Sequence, residues 1–136
     1  MLGGLARSPQ VLRMAQTMPT LTASQLLTDL HEIKTRRGEP PWSDKVVISD
    51  RFTVSAICQP PGYANDRHYH IRDECWFVAE GEIIWHFDGG RDVHAKVGDF
   101  VFAPKGAFHL IEPVGDRPSI RIAISVTGEP HRYADD

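Results

Sequence analysis

Two histidines and a glutamate lie close together in the sequence. His68 and His70 are separated by one residue, and Glu74 follows after Ile71-Arg72-Asp73. Residues two apart in an extended strand project from the same face, so both imidazoles share a side. The charged stretch Ile71-Arg72-Asp73 suits a bend, and a chain that reverses there turns Glu74 toward the pair. A third imidazole, His109, comes far along the chain, just after the turn Pro104-Lys105-Gly106. Three neutral imidazoles and a carboxylate suit iron(II), manganese, nickel, cobalt, copper or zinc. They are a poor match to calcium or magnesium, which prefer oxygen shells. His68, His70, Glu74 and His109 are therefore the expected ligands of one divalent transition-metal ion. Four protein ligands leave about two positions of a six-coordinate ion for substrate, oxygen or water. Glu74 is also the expected catalytic group, as a proton acceptor.

The elements that must position these residues are strands. From Lys45 the sequence runs in short stretches of β-branched and aromatic residues, broken at short intervals by turn signals. The expected strands are 45–49, 52–58, 68–70, 75–79, 82–87, 93–96, 100–103, 109–112 and 119–126. Pro60-Pro61-Gly62, Glu80-Gly81, Asp88-Gly89-Gly90, Gly98-Asp99, Pro104-Lys105-Gly106 and Gly115 to Pro118 punctuate them. Short strands without intervening helices predict an all-β fold, a single antiparallel β-barrel or jelly roll, which also disposes of exposed sheet edges. Upstream, Thr22 and Gln25 have the form of a capping box, and Leu26, Leu27, Leu30 and Ile33 recur at helical spacing. They predict one amphipathic helix over about 23–35, stopped by Gly38 and Pro40-Pro41. The expected organisation is an N-terminal extension over 1–44, a barrel over 45–130 and a tail over 131–136.

The spacing of the chemistry-bearing residues carries a family resemblance. Gly62, His68, His70, Glu74 and Gly81 read G-x5-H-x-H-x3-E-x6-G, and Gly98, Pro104, Gly106 and His109 read G-x5-P-x-G-x2-H. These resemble the two motifs of the cupins at every fixed position but the last, where Pro113 stands in place of asparagine. The resemblance implies a single-domain cupin barrel with the four residues named as its metal ligands, and homodimers of the kind common in that family. A dimer here would use the helix near Leu26 and Leu30.

Strand alternation puts Trp76 and Val78 on the face of Glu74 and Ile111 on the face of His109, where they are either substrate contacts or plain barrel core. In the last strand Ser119, Arg121, Ala123 and Ser125 share one face, and Ile120, Ile122, Ile124 and Val126 the other. The polar face is expected toward solvent. Turned inward, it would make Arg121 a clamp for a substrate carboxylate. Trp85 and His86 face opposite ways, so one is inside; His86 is the candidate proton shuttle or substrate contact. His31, His94 and His131 match no spacing and receive no role. Cys58 and Cys75 read as buried thiols in a reducing compartment.

At 136 residues and 41% hydrophobic content the chain can bury one core. A net charge of -3 with scattered Lys and Arg gives no attraction to nucleic acid or anionic lipid, and no apolar run is long enough to span a bilayer. The expected protein is cytoplasmic, with a small-molecule substrate or ligand as its partner. The expected function is a metal-dependent oxidoreductase of dioxygenase type acting on a small aromatic or carboxylate-bearing molecule. The alternatives are a non-redox isomerase, lyase or cyclase, or a non-catalytic metal or small-ligand binding module.

Overall fold

The computed structural model describes residues 26–136. Among the described residues the helix α1 (Leu30–Arg37) precedes eight strands: β1 (Trp42–Ile48), β2 (Phe52–Gln59), β3 (Glu74–Glu80), β4 (Glu82–Phe87), β5 (Arg91–Lys96), β6 (Phe100–Ala103), β7 (His109–Val114) and β8 (Ser119–Val126). They form a five-stranded sheet in the order β1-β2-β8-β3-β6 and a three-stranded sheet in the order β5-β4-β7, with every pairing antiparallel. The expected all-β jelly roll is the observed one.

The core lies between the two sheets. Trp76, Val78, Val101, Ala103 and Ala123 from the larger sheet meet Ile83, Trp85, Ala95 and Ile111 from the smaller, all buried. The burial pattern of β3 alternates as a strand with one face inward requires, with Glu74, Trp76 and Val78 buried. The turn between β3 and β4 is closed by Gly81 at φ 73°, a left-handed conformation that glycine adopts without steric cost.

Two expectations change. The predicted helix is not continuous: Leu26 is helical, but α1 begins only after Asp29, whose side chain accepts from the backbone N–H of His31 at 2.7 Å. That cap sets the helix start, and residues 27–29 are not helical. Ile33 is buried, but Leu26 and Leu27 are 71% and 75% exposed, so they do not extend a buried stripe. Thr22 and Gln25 lie outside the described residues. Second, His68–His70 is not a strand. The segment from Gly62 to His68 runs beside β7 with widely spaced hydrogen bonds, Gly62 N–H to the Pro113 carbonyl at 2.8 Å and Asn65 N–H to Ile111 at 3.1 Å. The Asn65 side chain accepts from Ile111 N–H at 2.7 Å, replacing a ladder partner. His68 and Tyr69 form only isolated bridges, to His109 and Arg132.

Candidate metal centre

His68 is set by its bridge to His109. Each backbone N–H donates to the other's carbonyl, at 3.0 and 2.8 Å, which locks the early histidine to the late one at the start of β7. His70 lies two residues on, and its carbonyl accepts from Gly106 N–H at 2.7 Å. Lys105 N–H donates to Asp73 Oδ1 at 2.9 Å, so the Pro104-Lys105-Gly106 turn is tied to the bend that precedes Glu74. The two motifs are thus joined by main-chain hydrogen bonds. The bend turns the chain back, and Glu74 opens β3 facing the imidazoles, as the spacing predicts.

The four side chains are buried, with exposures of 1% for His68, 5% for His70, 9% for Glu74 and 1% for His109. Ring centroids of His68 lie 5.1 Å from His70 and 4.4 Å from His109, and His70 and His109 are 5.8 Å apart. Glu74 Oε2 is 2.7 Å from His70 Nε2. Each imidazole is held at Nδ1 by a backbone carbonyl: Asp66 at 2.7 Å for His68, Pro130 at 3.1 Å for His70 and Ala107 at 2.9 Å for His109. A carbonyl only accepts, so Nδ1 carries a proton in each ring, and in His68 and His109 Nε2 keeps its lone pair, whereas His70 Nε2 faces the Glu74 carboxylate. Among the described residues His109 Nε2 is buried without a hydrogen-bond partner, and the buried His70 Nε2 and Glu74 Oε2 have only each other.

Burial lowers the His109 pKa to about 4 and also depresses that of His68, which keeps both rings neutral. Burial works the same way on His70, but the Glu74 carboxylate and the Pro130 carbonyl outweigh it and hold that ring above its ordinary value.

Sequence reasoning missed His131. The ligand atoms of His68, His70 and His131 lie within 4.8 Å of one another and could hold a metal ion. His131 arrives on the segment after β8, where Tyr69 and Arg132 exchange backbone hydrogen bonds at 2.8 and 3.0 Å and Glu129 accepts from Ile71 N–H at 2.9 Å. Its ring stacks on His68 at 3.9 Å with 12° between planes. No spacing in the sequence marks a histidine brought in by such a strap.

The surrounding candidates divide. Trp76 packs edge-on against His109 at 5.2 Å, and Val78 and Ile111 belong to the core beneath. His86 is not brought to the site. Trp85 takes the inner position, and His86 sits on the outer face between Asp92 at 2.9 Å and Glu112 at 2.8 Å. Arg121 corrects the expected solvent-facing placement. β8 is paired on both flanks, its register sets Arg121 opposite Val78 and Ile57, and the guanidinium is buried at 4% exposure. A cavity of about 450 Å³ borders Glu74 and His131, with Lys45, Thr53, Ser55 and Ser125 among its lining residues.

A family model described as the cupin domain matches residues 56–127, just over half of the chain. The chain belongs to the cupin family. An oxalate-binding protein of Thermotoga maritima is 38% identical to this cupin over 58 residues, 42% of this chain and 47% of that protein, so the match spans about half the length of the curated relative. Among solved structures, the polyketide cyclase RemF of Streptomyces resistomycificus superposes with a TM-score of 0.62 at 20% identity, covering 68% of this chain and 69% of its own. The DMSP lyase DddQ of Ruegeria pomeroyi gives a TM-score of 0.51 at 26% identity over 63% of this cupin and 40% of the lyase. Among the described residues, no helix is long and apolar enough to cross a membrane.

Proposed function

We propose that this cupin is a metal-dependent enzyme acting on a small organic molecule, with His68, His70, Glu74 and His109 holding one divalent transition-metal ion. The observation that carries the reading is the orientation of all three imidazoles: each spends Nδ1–H on a backbone carbonyl, His109 Nε2 is buried with no partner, and His70 Nε2 and Glu74 Oε2 are buried with only each other. Buried polar atoms left unpaired are costly, and an ion accepting their lone pairs offsets that cost. His131 is the competing fourth donor. Its ring lies nearly parallel to His68, a stacked arrangement in which two in-plane lone pairs do not converge on one ion, so it roofs the site in this reading.

When bound, such an ion supplies Lewis-acid or redox chemistry at its open positions. The chain supplies the rest: Trp76, Phe87 and Ile111 keep bulk water from the buried side of His109, and Glu74 is the proton-accepting group. A dioxygenase-type reaction is the first reading. The non-redox lyase reading draws support from the likeness to the DMSP lyase, and small-ligand binding from the oxalate-binding relative. A homodimer and a cytoplasmic location complete the proposal. The exposed Leu26, Leu27, Phe100 and Phe102 support the dimer, which light scattering checks.

Metal analysis of anaerobically purified protein, followed by oxygen-uptake traces with phenolic and keto-acid substrates, tests the reaction class. Substrate-dependent uptake supports the oxygenase; zinc or nickel with no uptake rejects it. His68→Ala and His109→Ala should each weaken metal binding by more than about tenfold with the circular-dichroism spectrum unchanged, and His131→Ala should not. Metal retained by His109→Ala and lost by His131→Ala would exchange their assignments.

A further inference from the structure

The barrel interior holds a cation with no acidic partner among the described residues. Arg121 is buried, and among the described residues its one hydrogen bond runs from Nη1 to Gln59 Oε1 at 2.6 Å. Among the described residues it forms no ion pair with a carboxylate, and its Nε is buried without a partner. A guanidinium carries five N–H donors in a planar fork, and burying it unpaired is strongly unfavourable. Burial lowers its pKa to about 10, Glu74 being the acidic group whose charge opposes that shift, so the side chain stays cationic near neutral pH. Other donors nearby are unspent too. Ser119 Oγ, two residues along the same face, and Trp85 Nε1, on the facing sheet, are buried and unpartnered. An interior with surplus donors and an unpaired cation is complementary to an anion.

The position connects this charge to the candidate centre. Arg121 lies behind the wall of the cavity of about 450 Å³ that borders Glu74 and His131: Ile57, its cross-strand partner, and Ala123, two residues further along β8, line that cavity, and Arg121 itself does not. That volume is of small-molecule size. Gln59 fixes one arm of the guanidinium, and the unpartnered Nε–H is left for an oxyanion acceptor.

Resting on the small-molecule site proposed above, we infer that the ligand of this cavity is a small carboxylate, and that Arg121 recognises its anionic group while the other end lies at the histidine cluster. Arg121 is thereby a specificity-determining residue. An oxyanion satisfies its unspent N–H groups; a neutral ligand of the same shape leaves the buried charge unpaired.

The test uses the metal-loaded full-length protein and calorimetric titration with malonate and succinate, each against its monoamide, malonamate and succinamate. The diacid of fitting length should bind more than about tenfold tighter than its monoamide. Arg121→Gln should abolish that preference, with metal per chain, measured on the same samples, unchanged; Arg121→Lys should keep part of it. Should Arg121→Gln fail to fold, the parent still decides the matter: the Arg121 Nε–H resonance should shift on adding the diacid and stay put with the monoamide. Equal binding of diacid and monoamide, an undiminished preference in Arg121→Gln, or an unmoved Nε–H signal would overturn the inference. Metal content reports separately on the ligand assignment, and the preference is read again on metal-free protein, so the two readings fail independently.

Discussion

Asp66, Ala107 and Pro130 contribute only main-chain oxygens to the centre, yet each decides which nitrogen of its histidine is available. Because the contact is to a carbonyl, side-chain identity there is irrelevant to the tautomer. Asp66→Ala should lower metal affinity by well under the roughly tenfold loss that follows removal of a true orienting partner, as competition with a chromophoric chelator would measure. His86 acts at the same scale but on stability. Glu112 first and Asp92 second raise its pKa above the ordinary value, so the folded state binds the proton more tightly than the unfolded chain does. That contribution is present in full below the unfolded value, about 6.5, and is lost as pH rises through the folded value. The side chain is 34% exposed, which screens the pair and keeps the effect small. His86→Asn should therefore lower the melting temperature at pH 5.5 and leave it nearly unchanged at pH 9; an equal loss at both would reject the linkage.

The β3–β4 connection shows how tightly an element can be specified. A Cβ on Gly81 would lie 2.8 Å from Ser119 Cα and 2.9 Å from the Pro118 carbonyl oxygen, both backbone atoms of the strand start opposite. Gly81→Ala should cost about 1–2 kcal/mol from the left-handed conformation alone and more from the clash. Gly98→Ala, at φ 92° with open space around it, should cost only the conformational part. Urea denaturation of the two variants makes the comparison. Strands and turns such as this were legible because alternation and turn residues are local signals, and the joined His68/Glu74 and His109 segments were legible because their spacing is fixed. Arg121 was not. The Ile120, Ile122, Ile124 and Val126 face of β8 looks like core, yet Ile124 and Val126 are 37% and 39% exposed while Arg121 is 4% exposed. Alternation offers two faces and does not say which is inward. The helix start at Leu30 was obscured because the helical spacing of Leu26, Leu27, Leu30 and Ile33 runs straight through residues 27–29, which are not helical. His131 left no signal because it is placed by hydrogen bonds between residues about 60 apart in the chain, such as His70 to Pro130.

At the scale of the whole molecule, a metal ion that binds only the folded state stabilises it by mass action. At a hundredfold excess over Kd the gain is about 2.7 kcal/mol. Chelator should lower the melting temperature by several degrees relative to metal-loaded protein, and His68→Ala should show no such difference; calorimetry reads both. The central place of β8 has a consequence in time. It pairs with β2 on one side and β3 on the other, yet it is the last of the described strands along the chain. During synthesis β2 and β3 leave the ribosome well before the strand that unites them, so the larger sheet closes late. The strap that brings Pro130 and His131 to the histidines follows later still. The candidate metal pocket is therefore the last of the described parts of the barrel to be assembled, and an ion bound there would be loaded into an almost finished protein rather than nucleate its folding.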